Sequence, residues 1–301
     1  MSAQKKIILA GGTGFIGRHL QEFYQRLGYQ ILVISRNNGD LRWSDTAGIV
    51  SALENAELVV NLAGKSVDCR YTEKNKARVF SSRLETTRTL GEAILACQNP
   101  PKLWINSSTA TIYRHAEDRK MTEKDGEIGT GFSVEVGKAW EKAFFSFQLP
   151  ATRQAALRIA IVLGTDGGAL APYVRMARFG VGGPQGNGRE MFSWIHIDDV
   201  VRIVRFLEQR QLSGVFNTAA PHAVDNKTLM RLLRQQVKMP IGLPIPAPLL
   251  RLGAGIIGTS SELLLKSRWV YPEHLLKNGF TFLYSNLEDA LAELLGKDRK
   301  G

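Results

Sequence analysis

Cysteine is scarce: the 301 residues hold two, Cys69 and Cys97, and neither belongs to a Cys-x-x-Cys pair. Two isolated thiols exclude a disulfide framework and a thiolate zinc site, and no metal ligands are expected. Long apolar runs are also missing. No uninterrupted stretch reaches the roughly 20 residues of a membrane helix, and the four-residue run after Lys6 is too short for the core of a secretory leader. A soluble, cytoplasmic chain with reduced thiols is expected, with no membrane partner. Acidic residues are in deficit, 28 Asp and Glu against 39 Lys and Arg, for a formal net charge of +11. The basic residues nevertheless form no run of five or six, and no zinc-finger or RNA-binding signature occurs. That pattern argues against nucleic acid as a partner. It fits a solvated basic surface, or an anionic small ligand such as a phosphorylated cofactor.

What the chain does have is apolar residues, 44% of the total. That is enough for one large α/β domain, or one domain with a smaller lobe. Ile7-Ile8-Leu9-Ala10 reads as a buried strand. Phe15, Ile16, Leu20, Phe23 and Leu27 then recur at helical spacing, and Gly28 supplies a stop. Ile31 to Ile34 is a second buried strand, which closes a β-α-β unit. Leu58 to Ala63 reads as a strand, Thr72 to Cys97 as a long helix and Leu103 to Asn106 as a strand. Val134 to Phe147 reads as a helix, and Ala156 to Leu163 as one more strand. Asp198 and Asp199 are expected to cap a helix from Val200 to Leu207, with His196 as a structural polar position.

Strands alternating with helices imply an α/β fold of the Rossmann type. Its doubly wound, mostly parallel sheet would be covered on both faces. The pattern changes after residue 165. Gly180 to Gly188 alone holds five glycines, and residues 243–248 hold three prolines. The expected organisation is a dinucleotide-binding core over 1–165. The remaining core elements, over 166–301, would be interleaved with a smaller C-terminal substrate lobe.

The strongest motif is Gly11-Gly12-Thr13-Gly14-Phe15-Ile16-Gly17. Gly12, Gly14 and Gly17 satisfy G-x-G-x-x-G, and Gly11, Gly14 and Gly17 satisfy G-x-x-G-x-x-G. Either spacing serves the same physics. The turn needs positive φ, the backbone must approach a diphosphate closely, and the helix must pack tightly on the strand. The helix N-terminus then offers N–H groups to the phosphates. The motif lies between a strand and a helix inside a β-α-β unit, which is its confirming context.

The end of the second strand discriminates between cofactors. NAD sites usually place Asp or Glu there for the ribose 2′-hydroxyl. This chain has Ser35-Arg36-Asn37-Asn38 and no acid before Asp40. A guanidinium suits a 2′-phosphate, and Ser35 adds a hydroxyl, so NADP(H) is expected. The competing interpretation is a plain surface arginine after a strand.

Together, Gly11 to Gly17, Asn61-Leu62-Ala63-Gly64, Ser107-Ser108-Thr109-Ala110-Thr111-Ile112-Tyr113 and Trp194 to Val200 resemble the extended short-chain dehydrogenase/reductase superfamily. Five segments, one of them within Trp194 to Val200, narrow the resemblance to its "epimerase family protein" group with a C-terminal domain of unknown function. They are Ser82 to Thr87, Val162 to Gly168, Gly182 to Gly188, Trp194 to Asp199 and Asn278-Gly279-Phe280. The resemblance covers nearly the whole chain and implies roles. Leu62, Ala63 and Gly64 would line the pocket beside the cofactor riboses, and Arg83 would lie near the cofactor. Ser107 and Ser108 would end a strand beside the nicotinamide, and the Thr109 hydroxyl would bond the substrate oxygen. Without the resemblance, Arg83 reads as an exposed helical arginine.

One departure limits the resemblance. The superfamily's reductases and epimerases carry Tyr-x-x-x-Lys, in which the tyrosine moves a proton and the lysine supports it. The matching lysine here is read as Lys138, and four residues earlier stands Val134, which holds no transferable proton. Two readings follow. One is an NADP(H)-dependent oxidoreductase or epimerase acting on a small carbonyl or alcohol of unknown identity. The other is a non-catalytic NADP(H)-binding sensor or partner-interaction module. A homodimer is compatible with both.

Overall fold

The computed structural model describes residues 4–67, 69–246 and 266–296. The central sheet has seven strands: β1 (Lys6–Ala10), β2 (Gln30–Ser35), β3 (Leu41–Arg42), β4 (Leu58–Asn61), β5 (Leu103–Thr109), β6 (Arg153–Ile159) and β10 (Gly214–Thr218). Their spatial order is β10-β6-β5-β4-β1-β2-β3, and every neighbouring pair is parallel. The expected Rossmann-type sheet is therefore present. Its order reverses between β1 and β4, where the connections leave in opposite directions. In an open parallel sheet, that reversal opens a crevice at the carboxyl ends of the strands, which is where ligands bind.

The strands alternate between two covered faces, as a period of two requires. Ile7, Leu9, Val33, Leu58, Val60 and Ile105 pack against α1 (Phe15–Arg26) and α6 (Ile197–Arg210). Ile8, Ala10, Ile34, Val59 and Trp104 pack on the opposite face. There they meet α2 (Thr46–Leu53), α3 (Glu73–Ala96) and α4 (Phe132–Phe145). Both faces are covered by helices, so the strands read as continuous apolar runs rather than alternating ones.

The second half of the chain contributes to this core and builds a cluster of its own. β10 completes the sheet edge beside β6. Leu163, Tyr173, Trp194, Leu229, Met230, Leu233 and Leu291 form a separate apolar centre. The single strand expected from Ala156 to Leu163 is instead two. β6 ends at Ile159, and β7 (Ile161–Leu163) leaves the sheet to pair with β9 (Trp194–His196).

The capping of α6 also differs from expectation. Its N-cap is His196, whose Nδ1 accepts the Asp198 N–H at 3.1 Å. Asp199 is fully buried and accepts the backbone N–H groups of Leu283 and Tyr284, with Arg202 bonded to the same carboxylate. It acts as a tether for the C-terminal segment rather than as a cap. A buried carboxylate is tolerable here because each oxygen receives a donor.

Candidate active site

The loop after β1 follows from its glycines. Gly11 has φ +76°, and a Cβ there would lie 2.8 Å from the Ala63 nitrogen, so the β1 and β4 loops touch backbone to backbone. A Cβ at Gly17 would sit 2.5 Å from Gly12 Cα and closer still to the Gly12 carbonyl oxygen. Helix α1 is thereby brought down onto the loop. Its N-cap is Gly14, with no capping side chain and no acidic residue in the first turn. The Phe15, Ile16 and Gly17 N–H groups have no acceptor within the helix, and the positive dipole end is uncompensated. Thr13 and Gly14 are exposed at this mouth. The Phe15 ring turns away, into a cradle formed by Gly164, Gly167 and Gly168, so only its backbone faces the loop. Asp166 closes the cradle by pairing with Arg18 and His19.

At the end of β2, Ser35 is 6% exposed and its Oγ has no hydrogen-bond partner. Arg36 is exposed beside it. The nearest acid, Asp40, is turned back, and its Oδ2 accepts the Val33 N–H at 2.7 Å.

On the far side of the crevice, Leu62 is bonded to Ala10 through its N–H, and the Ala63 N–H is held by Asn61 Oδ1. Gly64 lies against the Arg83 guanidinium, which donates to the Lys65 and Val79 carbonyls and lies 4.9 Å from the Trp140 ring centroid. Burial lowers the Arg83 pKa to about 10, which still leaves the group charged at neutral pH. The spacing of this edge is set by a buried amide network. Asn61 Nδ2 donates to Asn106 Oδ1 at 2.7 Å and to Thr87 Oγ1, and Trp140 Nε1 donates to the same hydroxyl. Nothing in the sequence marks these four residues as partners, because they come from four elements.

At the carboxyl end of β5, Ser107 is buried. Thr109 Oγ1 accepts the Thr111 N–H at 3.1 Å, which leaves its own proton to donate. Helix α4 faces this edge with the stripe Ser133, Gly137 and Glu141. A Cβ at Gly137 would meet Thr109 Cγ2 at 3.1 Å, and Ser108 Oγ donates to Glu141 Oε1 at 2.6 Å. The Tyr71 hydroxyl comes within 3.4 Å of Ser133 Oγ. Lys138 is not on that stripe. Its side chain is 50% exposed and pairs with Glu135 at 3.0 Å on the solvent face. Lys138, read as the lysine of the Tyr-x-x-x-Lys pattern, therefore does not share the helix face that meets Thr109: neighbouring helical residues point about 100° apart, and the inward register is 133–137–141. Lys138→Ala is expected to cost no more than about 0.5 kcal/mol in a denaturant titration, and to leave NADPH affinity within about twofold.

Beneath the edge, Glu141 takes a bidentate grip from Arg158, with Nε at 2.8 Å and Nη2 at 2.7 Å. Arg158 Nη1 donates to the Tyr113 hydroxyl, which is bonded in turn to Asn217. Tyr113 is fully buried, and burial raises its pKa, so it serves as a structural post.

A close backbone approach at Gly11, an uncapped helix start and an orphaned buried hydroxyl at Ser35 fit a phosphorylated dinucleotide lying over the sheet reversal. Fold and site together define a Rossmann-type protein of the NAD(P)-dependent class. Comparison with known proteins agrees. Residues 7–132 match the model of the NAD dependent epimerase/dehydratase family, and residues 245–294 match a domain of unknown function, DUF1731. The chain is 32% identical to the epimerase family protein YfhF of Bacillus subtilis, over 98% of this chain and 99% of that one. It is 31% identical to human SDR39U1, over 96% and 99%. The crystal structure of human SDR39U1 with NADPH superposes with a TM-score of 0.87 at 29% identity, over 97% of this chain and 99% of that one. A nucleoside-diphosphate sugar epimerase from Corynebacterium glutamicum superposes at 0.78 with 27% identity, covering 98% of this chain and 59% of that one. The chain belongs to the epimerase family.

Proposed function

We propose that the protein is an NADP(H)-dependent oxidoreductase of the extended short-chain type, acting on a carbonyl or alcohol substrate. The observation that carries the cofactor choice is the end of β2. Ser35 Oγ is buried without a partner, Arg36 is exposed, and Asp40 is spent on the Val33 N–H. A 2′-phosphate would find donors there, whereas a 2′-hydroxyl would find no carboxylate. The NADPH bound by human SDR39U1 supports the same choice.

In this reading, the loop from Gly11 through Thr13 and Gly14, with the Phe15 and Ile16 N–H groups, holds the diphosphate. Ser35 and Arg36 hold the 2′-phosphate. Leu62, Ala63, Gly64 and Arg83 line the riboses, and Ser107 closes the nicotinamide end. When bound, the nicotinamide supplies a hydride donor or acceptor. The Thr109 hydroxyl donates to the substrate oxygen and orients it. Thr109→Val is expected to lower turnover about a hundredfold, as loss of one positioned donor does, with NADPH binding unchanged. The test is to screen small ketones, aldehydes and quinones for oxidation of NADPH by the wild type. No turnover above buffer across the panel would sink the enzymatic reading.

One observation favours a second reading, an NADP(H)-binding sensor without catalysis. The stripe of α4 that meets Thr109 presents Ser133 and Gly137, which carry no proton-transferring group, and its carboxylate, Glu141, is held by Arg158 and Ser108. The second reading requires tight NADPH binding together with a silent panel.

A further inference from the structure

Strand β3 places a second arginine at the end of β2. Its two residues pair in parallel with that strand, Ile34 with Leu41 and Ser35 with Arg42. Paired residues in a parallel ladder put their side chains on the same face. Ile34 and Leu41 both pack into the core formed with α2 and α3. Ser35 and Arg42 therefore share the opposite face, the one covered by α1, whose N-terminus is the end of the phosphate loop. Between the two strands the chain turns tightly over the serine: a Cβ at Gly39 would lie 2.9 Å from Ser35 Oγ and 2.5 Å from the Val33 carbonyl oxygen. Asp40, inside this turn, is committed to the Val33 N–H.

The two guanidiniums here are without a direct partner. Arg36 and Arg42 are both exposed, and among the described residues neither side chain enters an ion pair or hydrogen bond. Elsewhere, arginines such as Arg114, Arg158 and Arg205 are drawn into carboxylates. Two exposed, unpaired guanidiniums beside a buried, unpartnered hydroxyl offer donors on one side of the strand end, and an anion there would satisfy the hydroxyl as well. A dianionic phosphate monoester matches the need, since it accepts from forked guanidiniums and from a hydroxyl at once.

We infer that Arg42 is the second guanidinium of a clamp with Arg36 and Ser35, and that it sets the preference of this site for a 2′-phosphorylated nucleotide. This rests on the NADP(H) reading above and adds a residue to it. Arg42 reaches the anion from the edge strand and Arg36 from the strand end, so the phosphate is held from two sides.

The experiment is a fluorescence titration of the purified full chain with NADPH and with NADH, for wild type, Arg42→Ala, Arg42→Lys and Arg36→Ala. The expected result for Arg42→Ala is NADPH binding weaker by about tenfold or more, the scale of one charge-assisted contact, with NADH unchanged. Arg42→Lys recovers part of the loss by keeping the charge without the fork. Wild type favouring NADPH, with Arg42→Ala weakening both nucleotides equally or neither, overturns the role of Arg42 and leaves the cofactor reading standing on Arg36. Wild type binding NADH as tightly as NADPH overturns the cofactor reading, and this clamp with it.

Discussion

Gly17→Ala is expected to weaken NADPH binding by at least about a hundredfold, the loss of one or two charge-assisted contacts to phosphate. The reason is geometric. A methyl group there would overlap Gly12 Cα at 2.5 Å and press harder still on the Gly12 carbonyl oxygen. Both obstacles are backbone, so no flexible side chain can yield. Helix α1 must move away from the loop, and the Phe15 and Ile16 N–H groups move with it. Overpacking should also lower unfolding stability by about 1–3 kcal/mol. Gly28→Ala is the control. Gly28 has φ +77° but nothing within 4 Å of its would-be Cβ, so it should lose only the conformational cost of about 1–2 kcal/mol and keep its NADPH affinity. Isothermal titration with thermal melts reads both effects. A Gly17→Ala protein that binds NADPH like wild type would remove the loop from the site.

Glu141→Ala should produce the largest loss of stability, about 3–5 kcal/mol in a denaturant titration. Both partners of the Glu141–Arg158 pair are nearly buried, with side chains 12% and 11% exposed. Burial works against the charge on Arg158, and the bonds to Glu141 outweigh it and raise its pKa above the ordinary arginine value. Removing the carboxylate strands that guanidinium beneath the sheet and frees Ser108 Oγ as well. Replacing both members, as in Glu141→Leu with Arg158→Met, should recover much of the loss, because no unpaired charge then remains buried. A single variant within about 1 kcal/mol of wild type would mean that the Arg158 guanidinium is not left buried and unpaired when Glu141 is removed.

The glycine-loop side of the candidate site is far more legible in the sequence than the side around Thr109. The phosphate loop is local. Its glycine spacing, the apolar run before it and the helical repeat after it lie within thirty residues, and each feature reports a short-range backbone requirement. The long helix α3 was legible for the same reason. Its cap Thr72 and its last residue Ala96 fall where the pattern starts and stops. The edge around Thr109 is assembled from β4, β5, α3 and α4, and its register depends on which face of α4 turns inward. Reading Val134 with Lys138 shifted that face by one residue. Val134 is fully buried, but in a different cluster, with Ala110, Ile112, Tyr113 and Val270. The Asn61, Asn106, Thr87 and Trp140 network could not be found in the sequence, since its members are separated by 19 to 53 positions where they bond.

The sequence by itself determined the parallel α/β class, the glycine loop and the basic strand end, because each depends on neighbours along the chain. Only the tertiary structure decided the rest. It turned Asp40 back onto Val33, set Arg42 beside Ser35, sent Lys138 out to solvent and brought Glu141 under Ser108. These are choices among side-chain directions that local pattern leaves equal. Strand register and the packing of α4 on the sheet break that tie, because both place side chains according to elements distant in the chain.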